Sequence, residues 1–91
     1  MQFIYPAVFK KHEKGYTGYF PDLEGCEVSG DTLDEVLEEA RLACADWITV
    51  ELEEDAPVLP PVTDIEDIVL KEHEFARRIC VTIRLYDGWD E

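Results

Sequence analysis

The stretch Phe20-Pro-Asp-Leu-Glu-Gly-Cys26 places two carboxylates, Asp22 and Glu24, next to a thiol, Cys26. Acids and a thiol this close could hold a metal or build an activated nucleophile. The other parts of either device are missing. Cys26, Cys44 and Cys80 form no C-x-x-C pair, and with His12 and His73 they match no common zinc spacing. No metal and no cofactor is expected. A Cys26 nucleophile would need a nearby base, but His12 lies in a polar turn and His73 sits ahead of the last strand without an assignable role. Three scattered cysteines read as small buried hydrophobes in a reducing cytosol.

The elements that must position these residues can be read from periodicity. FIYPAVFK is β-branched and aromatic, with Phe3, Tyr5, Ala7 and Phe9 on one face and Ile4 and Val8 on the other. Pro6 lacks an N–H, which predicts an edge, a bulge or a place where one neighbouring strand has ended. KKHEKG is a hairpin connection, and GYTGYF a second strand in which Gly18 leaves room for something bulky. CEVS is a short third strand. Thr32 and Glu35 form a capping box that starts a helix, with Asp34 and Glu35 favoured by its dipole. Leu33, Val36, Leu37, Ala40, Cys44, Trp47 and Ile48 make one apolar helix face; Glu38, Glu39, Arg41 and Asp46 make the other.

Pro57, Pro60 and Pro61 end that helix. TDIEDIVLKE reads as a second short helix, because Thr63 and Glu66 repeat the capping spacing. RRICVTIRLY alternates cleanly, with Ile79, Val81, Ile83 and Leu85 on one side, and is the clearest strand. The expected fold is therefore α+β, one domain over residues 1–91, in the order β-β-β-α-(α)-β. A strand that returns after a helical crossover usually lies parallel to its neighbour, so the prediction is a four-stranded mixed sheet carrying one main helix.

Composition narrows the function classes. Acids outnumber Lys plus Arg 22 to 8, for a net charge of −14. That field repels phosphate backbones, so this chain alone is not expected to bind nucleic acid. A basic protein would instead be attracted. No apolar run is long enough to span a bilayer, no signal peptide is apparent, and a cytoplasmic location is expected.

Residues 5–48 resemble the N-terminal domain of the HicB antitoxin family. The resemblance rests on Phe20, Pro21, Asp22, Leu23, Gly25 and Cys26, on Gly30, Asp31 and Thr32, and on Trp47 after an acidic helix. It implies a partial RNase H-like fold. It also implies a partner, a small basic RNA-cleaving toxin of the HicA type, neutralised when its catalytic histidine and RNA-binding face are masked. Many family members carry a further C-terminal DNA-binding module. This sequence has only YDGWDE after Leu85, so a stand-alone domain without operator binding of its own is expected.

RNase H chemistry would need carboxylates on adjacent strands holding divalent metals. FIYPAVF has none, and the last strand offers Arg84, so no enzymatic activity is expected. The alternative to an antitoxin is a HicB-like protein-binding module with no toxin partner. Candidate contact residues are Asp22, Leu23 and Glu24 on the loop, and Glu38, Glu39 and Asp46 on the helix. Trp89, in the C-terminal tail, completes the set. Two open sheet edges predict a homodimer.

Overall fold

The computed structural model describes residues 1–56 and 58–83. The candidate anchor Trp89 and the expected strand residues Arg84, Leu85 and Tyr86 lie outside the described residues. The elements are β1 (Gln2–His12), β2 (Gly15–Tyr19), β3 (Glu27–Gly30), α1 (Leu33–Leu52), one 3-10 turn (Ile65–Asp67) and β4 (Glu74–Thr82). The sheet order is β3-β2-β1-β4. The α+β class, the four strands and the single main helix agree with the sequence.

Every strand pairing is antiparallel, which corrects the mixed sheet expected above. The reason is the path of the connector. It leaves α1 beside the N-terminal half of β1, where the Tyr5 hydroxyl donates to the Pro60 carbonyl at 2.6 Å. It joins β4 only at Glu74, opposite Lys10 near the far end of β1. The chain therefore travels back along the sheet before re-entering it, which reverses the direction of β4. The crossover rule assumes a helix followed directly by a strand, and the connector after α1 breaks that assumption.

The expected second helix is reduced to the single 3-10 turn. Asp64 caps it by accepting from the Glu66 amide at 3.1 Å. Thr63 caps nothing, because its amide and hydroxyl are both bonded to Asp22. β4 starts earlier than RRICVTIRLY suggests, since Glu74 and Phe75 continue the ladder opposite Lys10 and Phe9. Pro6 sits in an interior strand, yet pairing with β2 begins only at Val8, so Pro6 has β4 as its one strand partner. This is the case of a neighbour that has ended.

The core lies between the sheet and α1. Tyr5, Ala7 and Phe9 of β1 and Ile79 and Val81 of β4 are buried, as are Val36, Ala40, Cys44 and Ile48 of the helix. Burying each large side chain contributes about 1.5–3 kcal/mol. Gly18 pairs with Phe9, and a Cβ at Gly18 would sit 2.6 Å from the Phe9 ring, so the glycine makes room for the aromatic. Phe9 in turn stacks on Phe75, with ring centroids 5.6 Å apart. The helix starts as its capping residues dictate: Thr32 Oγ1 accepts from the Glu35 amide at 3.1 Å, and Glu35 accepts from the Asp31 amide at 2.8 Å.

Candidate functional site

The loop from Phe20 to Cys26 is built from two successive turns. The Leu23 amide donates to the Phe20 carbonyl at 3.1 Å, and the Cys26 amide to the Leu23 carbonyl at 3.0 Å. Pro21 occupies the second position of the first turn, where its fixed φ is already correct. Gly25 occupies the third position of the second turn with φ +79°, a conformation that glycine adopts without strain. The Phe20 amide closes the loop on the Cys26 carbonyl at 3.1 Å.

The loop's side chains are largely committed inside the molecule. Asp22 accepts from the Thr63 amide at 2.8 Å and from the Thr63 hydroxyl, so it pins the connector to the loop. Leu23 is 0% exposed and belongs to the core, so its side chain has no surface to offer a partner. Glu24 is exposed, while its carbonyl accepts from Trp47 Nε1 at 3.0 Å. Trp47 thus ties the helix to the loop, with its ring packed at the margin of the core.

Two of the thiols, Cys26 and Cys44, are buried; Cys80 is exposed, which corrects the expectation that all three are buried, because it points from β4 to the face opposite Ile79 and Val81. Burial pushes the Cys44 thiol up to about 12, with the neighbouring Cys26 adding to the shift. Burial alone raises Cys26. Both are therefore held as neutral thiols at physiological pH, whereas a nucleophile or metal ligand must be a thiolate. His12 is exposed, with Nε2 2.7 Å from the Thr17 hydroxyl. His73 is exposed at φ 69° in the turn before β4. Among the described residues no three His, Cys, Asp or Glu side chains are grouped to hold a metal.

The helix acids are arranged differently from those of the loop. Glu38 pairs with Arg41 on the exposed side of α1. Glu39 and Asp46 instead border a groove between α1 and β3. One part of this groove, about 510 Å³, is lined by Glu27, Asp46, Trp47, Val50 and Glu51 among others. A second part, about 920 Å³, continues past Leu42, Glu39 and Val28 and round the edge of β3 to Tyr19. Glu27, Ala43 and Asp46 line both parts, so they form one continuous depression.

The sequence reading picked out Glu39 and Asp46 but missed Glu27, Leu42 and Val50. Leu42 and Val50 lie four residues either side of Asp46, off the core stripe, and that spacing was the available signal. It also missed Tyr5 and Thr63, whose partners Pro60 and Asp22 lie 55 and 41 residues away in sequence.

Comparison with known proteins bears on both regions. Residues 5–86 match the family model described as HicB-like antitoxin of bacterial toxin-antitoxin systems. An uncharacterised 14.9 kDa protein of Haemophilus phage HP1 is 36% identical over 66 residues, which are 72% of this chain and 49% of the relative. The chain thus spans about half the length of that curated relative. Among solved structures, a chain of the HicA3 and HicB3 toxin-antitoxin complex is 33% identical with a TM-score of 0.65, over 90% of this chain and 99% of the other. The N-terminal domain of Burkholderia pseudomallei antitoxin HicB is 26% identical with a TM-score of 0.66, over 91% and 100%. A chain of a Streptococcus pneumoniae toxin-antitoxin complex, 24% identical, shares the fold with a TM-score of 0.75 over 90% and 70%.

Proposed function

This chain belongs to the HicB-like antitoxin family of bacterial toxin-antitoxin systems, and we propose that it binds a small basic HicA-type toxin and covers the toxin's catalytic histidine and RNA-binding face. The observation that carries the proposal is the distribution of charge. Arg41 is the only Lys or Arg between Lys14 and Lys71, and it is paired with Glu38. The helix, the loop and β3 therefore present an almost unrelieved acidic surface. Such a surface speeds encounter with a basic chain and disfavours RNA or DNA.

The role is one of occlusion, with no catalytic step assigned to this chain, and it would be exercised in the cytoplasm. No described helix is long and apolar enough to cross a membrane. The proposal includes a homodimer, supported by the outer edge of β4, which among the described residues pairs with β1 on one side only. Light scattering on the purified chain would return twice the monomer mass if that edge is used and the monomer mass if it is not.

Co-expression tests the main proposal. A small basic HicA-type protein encoded beside this gene is the expected partner; it should arrest growth when produced alone, and this chain should relieve the arrest. Growth arrest that persists with both proteins present would defeat the antitoxin reading.

A further inference from the structure

We propose that the groove between α1 and the free edge of β3 is the surface that receives the basic partner, as an extended segment carrying Lys or Arg. This inference rests on the antitoxin reading and specifies where the contact is made. Three independent features of the groove converge on it.

The first is apolar. Leu42 is 53% exposed and Val50 62% exposed on a helix whose other water-facing positions are mostly acidic. A single exposed leucine is ordinary. Here two flank Asp46 at four-residue intervals, so Leu42, Asp46 and Val50 form one stripe along the groove. Exposed apolar side chains on either side of a central acid let one contact combine apolar burial with charge pairing.

The second is electrostatic. Asp46, Glu27 and Glu51 line the smaller part of the groove, and no Lys or Arg does. Arg41 is engaged by Glu38, so the nearest helix cation is already neutralised. A cationic side chain brought by the partner would meet Asp46 and Glu27 there, while Glu51 already accepts from the Val58 amide at 3.3 Å and Lys10 lines only the larger part.

The third is the backbone. Among the described residues β3 pairs only with β2, so alternate amides and carbonyls of Glu27–Gly30 face outward beside the groove. An extended segment can add hydrogen bonds there while its side chains reach the acids. The opposite edge does not offer this chemistry to a basic chain, because β4 carries Arg77 and Arg78, both exposed.

The test is a titration of the ¹⁵N-labelled full chain with the basic protein encoded beside it, followed by amide NMR. Perturbations should concentrate in residues 25–30 and 39–51. The variants Leu42→Glu and Glu27→Lys should each weaken binding about tenfold or more with unchanged circular dichroism and melting. Perturbations confined to residues 62–82, or variants that bind like the parent, would overturn the groove assignment while leaving the antitoxin reading intact. Absence of any binding by the parent chain would overturn both.

Discussion

The Phe20–Cys26 loop and the Glu39–Glu51 stretch of α1 carry the same kinds of side chain and use them in opposite ways. In the loop, Asp22 is bonded to Thr63, Leu23 is in the core, and Cys26 is a buried neutral thiol. In the helix stretch, Asp46 and Glu39 border an open groove, and Leu42 and Val50 project beside them. Acids of both regions are candidate contacts in the sequence, and the structure gives them different surroundings: Asp22 is half-buried and bonded to Thr63, Glu24 is exposed, and Asp46 is exposed beside an open groove.

The largest difference should appear when leucines are truncated. Leu23→Ala removes a fully buried side chain and should cost about 2–5 kcal/mol in urea unfolding. Leu42→Ala should stay within about 0.5 kcal/mol of the parent. Equal losses at the two sites would break the distinction between core loop and open groove.

The Asp22–Thr63 staple should have the next largest effect. Asp22→Ala leaves the Thr63 amide and hydroxyl without their carboxylate, for a loss of about 2 kcal/mol. Amide exchange over residues 58–68 should accelerate in the same variant. A double-mutant cycle with Thr63→Val separates this coupling from general damage, and a coupling near zero would remove the staple from the account.

Smaller again is the Trp47 contact. Trp47→Phe keeps the ring and deletes the donor to the Glu24 carbonyl, so about 1 kcal/mol should be lost. Thermal melting reads it directly, and an unchanged midpoint would show that packing alone joins helix to loop.

The buried thiols give the interior a pH signature. Cys44 titrates near 12 in the folded chain against an ordinary value of 9.0, and the Tyr5 phenol is also raised, mainly by burial and then by the Asp22 charge. Above pH 9 the unfolded chain loses these protons before the folded chain does. Stability is therefore fully retained below about pH 9 and declines as pH rises toward about 12. Urea midpoints at pH 8 and pH 10.5 measure the decline, and Cys44→Ala should flatten it. A parent midpoint independent of pH would contradict the burial of these groups.

How much of this was legible in the sequence follows from the range of the forces involved. The Thr32–Glu35 cap, the helix stripe from Val36 to Ile48 and the inward set Ile79, Val81 and Ile83 are local patterns, and each is found in the structure. Gly18 was legible as a gap because strand alternation places it between Tyr16 and Phe20 on one face with no side chain of its own. The direction of β4 was not, because it depends on a connector anchored by Tyr5 and Asp22 to residues far away in sequence. The role of Asp22 was hidden for the same reason: a carboxylate's partner is set by tertiary contact, which turn grammar does not encode. Leu42 and Val50 were visible as departures from amphipathicity, but only the position of β3 gives those departures a groove to line.

The most direct test sets the two aspartates side by side. Asp22→Asn and Asp46→Asn each remove one negative charge, and calorimetric titration with the basic protein encoded beside this chain reads the affinity of both. The account predicts that Asp46→Asn melts like the parent and binds several-fold more weakly, whereas Asp22→Asn melts lower and binds with parental affinity. Weakened binding by Asp22→Asn together with undiminished binding by Asp46→Asn would contradict it.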